Sequence, residues 1–351
     1  MRSPSPRRLR GGVIWGSQAR EKEEYMSLTR RDFLTMTGAT ALAVGLGQRA
    51  RPAHAQAKTV KIGTAVLGDY GLAGPILMAI EKGFFKENGV AVEFTPFRGG
   101  PPLLQAVQGG QIHIAVSGAT DVPVFREAGV PVRYVAATVS GNQFVLSVAP
   151  GITKVADLKG KSIGVTAAGS ATWVFANLIA KQQGWEPEKD VKVVALGGLD
   201  AQIAALSRGE SHAFVWGDGA AVMEVQGKAK ILMRLDSITP KWIGLGAYCT
   251  DEYIKNNKEA IRGALRAYFQ GVKFIRENSS EADKIAAKTI GWSEAAVARA
   301  RQLTGPLFSG DGRIDVESVR FMQNTLLELG VIKKRLPLEE HYTTEFTPIR
   351  V

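Results

Sequence analysis

Cysteine is almost missing from this chain. Cys249 stands alone among 351 residues, so no intramolecular disulfide can brace the fold and packing must supply the stability. Histidine is nearly as scarce. His54, His113, His212 and His341 have none of the spacings that metal ligands adopt, so no metal and no cofactor is expected. No nucleophile motif or phosphate-cradling loop appears, and the chain is read as a non-enzyme. Long apolar runs are lacking too. The longest, 33–47, has 15 residues with three glycines, short of the roughly 20 that a spanning helix needs. A basic stripe is also absent. Ten Lys/Arg and four Asp/Glu in residues 1–57 account for most of the formal charge of +11, and the remainder is dispersed. Nucleic acid is therefore excluded as a partner.

What is present begins with an address. Arg30-Arg31-Asp32-Phe33-Leu34 puts an arginine pair ahead of the apolar run, and Ala53-His54-Ala55-Gln56-Ala57 follows it. Basic, apolar, then small-x-small is the order of a cleaved export signal. The arginine pair resembles the twin-arginine subclass. Residues 1–57 are expected to be an N-terminal extension plus this signal, cut after Ala55 or Ala57, with Met26 as an alternative start. The mature chain would then work in the periplasm.

From residue 58 onward, strands and helices alternate. Strands are expected over 59–66, 90–97, 112–116 and 130–137. Pro75 is expected at the first helical position, with Ile76, Ile80 and Phe84 forming one buried stripe. A second alternation runs over 144–235 and one more strand over 245–249. Helices follow, beginning with a long segment over 251–277. Such alternation argues for parallel or mixed sheets covered on both faces. Polar, turn-rich stretches near 138–143 and 237–243 suit crossings between two domains.

Several blocks carry a family signature. They are Gly83-Phe84-Phe85-Lys86-Glu87-Asn88-Gly89-Val90, Gly109-Gly110-Gln111-Ile112-His113-Ile114-Ala115, Ala156-Asp157-Leu158-Lys159-Gly160-Lys161-Ser162-Ile163-Gly164-Val165, Gly169-Ser170-Ala171-Thr172 and Ala204-Ala205-Leu206-Ser207-Arg208-Gly209-Glu210. Together they resemble periplasmic substrate-binding proteins of ABC importers, over nearly all of 59–330. The similar branch binds nitrate, sulfonates, taurine and thiamine-pyrimidine precursors. The resemblance implies an α/β fold of periplasmic-binding-protein type II: two lobes, mixed sheets flanked by helices and two crossover hinge strands. Lobe I would comprise 58–141 and 238–351, and lobe II 142–237. It implies a monomeric receptor that closes on a small organic ligand, sulfonate- or taurine-like or pyrimidine-like, and delivers it to ABC permease subunits. A pyrimidine-precursor synthase on the same scaffold and a sensor component are the alternatives. Where the family usually carries acidic residues, this chain has His113 and His212, read as a surface change or as pH-sensitive ligand contacts.

Ligands of open α/β sheets sit beyond the carboxyl ends of strands. That rule selects Asp69, Tyr70, Gly99, Ser117, Thr120, Ser170, Thr172, Trp216 and Asp218. Ser170 and Thr172 open a helix whose free N–H groups favour an anion, although Ser170 also suits a plain N-cap. Trp216 reads either as core or as a stacking wall. Asp69, Asp121 and Asp218 are turn formers or cleft residues. Two of them in the cleft would repel a purely anionic ligand and suit one with an amine or ring N–H.

Overall fold

A computed structural model describes residues 58–351; the expected export signal lies outside the described residues. The chain first runs β1 (Lys58–Thr64), α1 (Tyr70–Glu81), α2 (Phe84–Glu87), β2 (Val90–Pro96), α3 (Gly100–Gln108), β3 (Ile114–Gly118), α4 (Asp121–Glu127) and β4 (Val132–Ser140). It continues through β5 (Val145–Val148), β6 (Ser162–Val165), α5 (Ala171–Gln182), β7 (Lys192–Ala195), α6 (Leu199–Ser207), β8 (Ala213–Trp216), α7 (Ala221–Val225) and β9 (Lys230–Arg234). After β10 (Ile243–Thr250) come only helices: α8 (Asp251–Asn256), α9 (Lys258–Glu277), α10 (Ser279–Ile290), α11 (Glu294–Thr304) and α12 (Val316–Glu328), apart from short 3-10 turns.

The strands form two five-stranded sheets, in the orders β2-β1-β3-β10-β4 and β7-β6-β8-β5-β9. Each sheet has a parallel part and one strand running against its neighbours. In the first, β1 pairs parallel with β2 and β3, and β10 lies antiparallel between β3 and β4. In the second, β6 pairs parallel with β7 and β8, and β5 lies antiparallel between β8 and β9. Both odd strands follow the points where the chain passes from one sheet to the other, at 141–144 and 235–242. β3, β5, β6 and β8 are buried along their whole length. Their near-continuous apolar composition follows from cover on both faces.

Three expectations shift at the level of elements. Helix α1 starts at Tyr70, with Asp69 as N-cap accepting from the Leu72 N–H, so Pro75 lies inside the helix. The four-residue stripe also fails: Tyr70 to Ala79 is buried all round, whereas Ile80 is 41% exposed where the helix leaves the layer. The long segment is two helices, broken at Asn257 with φ −135°. Helix α9 then presses directly on α1. A Cβ at Gly271 would stand 2.1 Å from the Pro75 carbonyl oxygen, so only glycine permits this backbone approach.

Candidate functional site

The loops after β1, β2, β3, β6 and β8 converge on one cavity between the two sheet-centred halves. Its walls include Asp69, Gly99, Asp121, Phe144, Thr166, Ser170, Thr172 and Trp216. The volume open to water centres is about 40 Å³, and one water needs roughly 10–15 Å³ on that measure. The walls are therefore nearly in contact, and only a few waters fit. Gly118 at the end of β3 marks how close they come, since a Cβ there would sit 2.4 Å from the Ala171 Cβ at the start of α5.

The first half contributes carboxyl groups. Asp121 is 2% exposed at the start of α4, and the Ser117 hydroxyl donates to its Oδ2 at 2.7 Å. Burial outweighs that hydrogen bond and pushes its pKa up to about 7. Asp69 is as deeply buried. Burial first, and the neighbouring Asp218 second, hold its carboxyl well above the usual range. The second half contributes hydroxyls. Thr166 Oγ1, Ser170 Oγ and Thr172 Oγ1 form a triangle with edges of 2.8–2.9 Å. Ser170 also caps α5 by accepting from the Trp173 N–H at 3.4 Å. The two readings of Ser170, cap and cavity wall, hold together. Beyond the cap, the first N–H groups of α5 have no intrahelical acceptor. The cavity thus sets carboxyls on one wall against hydroxyls and a helix N-terminus on the other, with Trp216 and Phe144 as apolar sides.

The residues selected from the sequence separate into two groups. Asp69, Gly99, Ser170, Thr172 and Trp216 line the cavity. Tyr70, Ser117, Thr120 and Asp218 are buried behind it. Ser117 holds Asp121, and Asp218 Oδ1 and Oδ2 accept from the Tyr70 and Gly71 N–H groups at 2.6 and 2.8 Å. Burial raises the Asp218 pKa to about 6, against the pull of Thr304 and those two N–H groups. Phe144 and Thr166 were not selected. Thr166 directly follows β6, where the strand-end rule points, while Phe144 precedes β5, whose antiparallel direction brings its amino end to the same edge. His113 and His212 stand away from the cavity. His113 Nδ1 accepts from the Lys61 N–H at 3.1 Å and its ring stacks on Tyr253, and His212 Nδ1 lies 3.1 Å from the Ser162 hydroxyl. Among the described residues, no group of His, Cys, Asp and Glu could hold a metal, and no helix is long and apolar enough to cross a membrane.

Comparison with known proteins adds three relatives and a family. The family model described as NMT1/THI5 like matches residues 73–282. A Brucella abortus (strain 2308) protein, named only as a binding protein, is 24% identical over 253 residues, 71% of this chain and 77% of its own. The taurine-binding periplasmic protein of Escherichia coli (strain K12) is 32% identical over 147 residues, 41% of this chain and 45% of its own. The alkanesulfonate-binding protein of Xanthomonas axonopodis pv. citri, solved bound to MOPS, superposes with a TM-score of 0.69 at 18% identity, over 82% of this chain and 99% of that one. That likeness establishes the fold: two mixed α/β sheets flanked by helices, as in periplasmic binding proteins.

Proposed function

Because the chain belongs to the NMT1/THI5-like family, we propose that it is the extracytoplasmic receptor of an ABC importer, with the sheet-centred halves acting as its two lobes. Family and relatives together support a binding role. The ligand and the hand-over to permease subunits are our reading. One observation carries the ligand class: buried carboxyls and a hydroxyl-lined helix N-terminus face each other across a single cavity. A ligand with a protonated amine or ring N–H at one end would meet Asp69 and Asp121. An anionic or acceptor group at its other end would meet Ser170, Thr172 and the start of α5. An amino-sulfonate of the taurine type meets both demands, and a pyrimidine with ring N–H donors meets the first. Nitrate meets only the second and would suffer repulsion from any ionised carboxyl. The walls of the cavity almost touch as it stands, with Gly118 packed against Ala171 across it. Entry therefore requires the halves to part and re-form around the guest, and the ligand's own affinity for the closed state favours that form further.

Isothermal titration of the mature protein with taurine, ethanesulfonate and nitrate tests the ligand class. Taurine is expected to bind at least tenfold more tightly than ethanesulfonate, which lacks only the amine, and nitrate not measurably. Equal or tighter binding of ethanesulfonate or nitrate would remove the role given to the carboxyl wall.

A further inference from the structure

The N-terminus of α1 is already filled. A helix exposes its first N–H groups and so forms an anion-binding end. In α1 these donors all terminate on carboxyl oxygens. Tyr70 N–H donates to Asp218 Oδ1 at 2.6 Å, Gly71 N–H to Asp218 Oδ2 at 2.8 Å, and Leu72 N–H to Asp69 Oδ1 at 3.1 Å. Helix α1 belongs to the first half. Asp218 arrives with β8 of the second, and it is fully buried.

The surroundings of Asp218 are shaped for the same approach. Trp216 Nε1–H donates to the Gly68 carbonyl at 2.8 Å. At Gly217 a Cβ would stand 1.9 Å from Asp69 Oδ2, and at Gly219 one would stand 2.3 Å from the Gly68 oxygen. Two glycines flanking the aspartate thus let its backbone approach the Asp69 carboxyl at Gly217 and the Gly68 carbonyl at Gly219 across the halves. Further out, Arg299 on α11 pairs with Glu224 on α7 at 2.6 Å.

We propose that Asp218 is a built-in anion that occupies the end of α1 and latches the two halves shut without a ligand, leaving α5 as the helix that reads a ligand's anionic group. A single carboxylate spanning two N–H donors is a directional contact that is lost as soon as the halves separate. The ligand-free protein accordingly populates the closed form, and a ligand enters only when the latch opens. The inference concerns the ligand-free protein and stands apart from the ligand class proposed above, so either can fail alone.

Small-angle scattering of the ligand-free mature protein tests it, with Asp218→Ala, Asp218→Asn and Gly219→Ala as variants. The wild-type profile is expected to match the closed form. Asp218→Ala removes the carboxylate, and Gly219→Ala wedges the Gly68 carbonyl away while leaving Asp218 intact. Both should raise the radius of gyration, with the open fraction up about tenfold or more, as for loss of a charged hydrogen-bonded contact. Asp218→Asn should fall between them and the wild type. Cooperative thermal unfolding of each variant separates opening from loss of fold. Should Asp218→Ala not fold, Gly219→Ala decides alone. A wild type that scatters as an open molecule, or folded variants that keep its radius, would overturn the latch.

Discussion

At Asp121 two opposing influences act on one carboxyl group. Burial disfavours its charge, the Ser117 hydroxyl favours it, and burial wins, leaving a pKa of about 7. Among the described residues no cation compensates it; Tyr134 and Tyr248 are titratable groups that feel its charge. The raised value means that the folded protein holds a proton between about pH 4 and pH 7 that the unfolded chain has released. This contribution to stability is therefore complete below the unfolded value and lost as pH rises through about 7. Asp69 and Asp218 act in the same direction. His341 acts against them. Burial lowers its pKa to about 4, so its contribution is present above the unfolded value and lost as pH falls toward 4. Melting temperature is expected to rise as pH is lowered from about 8 to about 5. Asp121→Asn should flatten that rise, by on the order of 1.4 kcal/mol for each step of one in pH over which folded and unfolded carboxyl differ in protonation. His341→Gln should steepen it. A His341→Gln protein whose stability is unchanged or falls as pH is lowered across this range would contradict the assignment. At this scale the sequence was partly legible. Trp216 ends β8, and Asp69 and Ser170 open the helices that follow β1 and β6, positions that bring all three to the cavity. For Asp121 the sequence leaves turn former and cleft residue both open, and its burial under Gly100 and beside Ser117 has no local sign.

Between elements, α9 meets α1 backbone against backbone at Gly271. Gly271→Ala would force a methyl group into the Pro75 carbonyl, a backbone atom with no rotamer to yield. Such overpacking costs about 1–3 kcal/mol, and differential scanning calorimetry should register a drop of about 2–4 °C per kcal/mol for a chain of this size. An unchanged melting temperature would mean that the helices can slide apart. The same contact explains a misreading of the sequence. Proline is most welcome at a helix start, so Pro75 suggested one; but the Asp69 cap and the buried glycines Gly71 and Gly74 begin α1 earlier. Periodicity failed there as well, because a helix sunk on every side has no polar face to set a phase. Amphipathic α9, with its apolar residues on one side, was legible at once.

For the molecule as a whole, Cys249 is a natural reporter. It lies wholly buried in β10, the strand inserted between β3 and β4, and burial pushes its thiol pKa far upward. A thiol reagent should label it only on global unfolding. Gly219→Ala, which parts the halves without unfolding either sheet, should leave the labelling rate as in wild type. Rapid labelling in native buffer would place Cys249 in a region that opens locally. Alternating strands and helices made the mixed sheets readable from sequence. The order of strands was not, because pairing of β10 with both β3 and β4 joins residues more than a hundred positions apart and leaves no local trace.

The second sheet is drawn from one uninterrupted stretch of chain, from β5 to β9, while the first must wait for β10. During synthesis, therefore, β3 and β4 emerge with a strand-wide slot between them and no neighbour to fill it. The second sheet can mature on the ribosome, whereas the first remains an unfinished frame with two bare edges until β10 is translated.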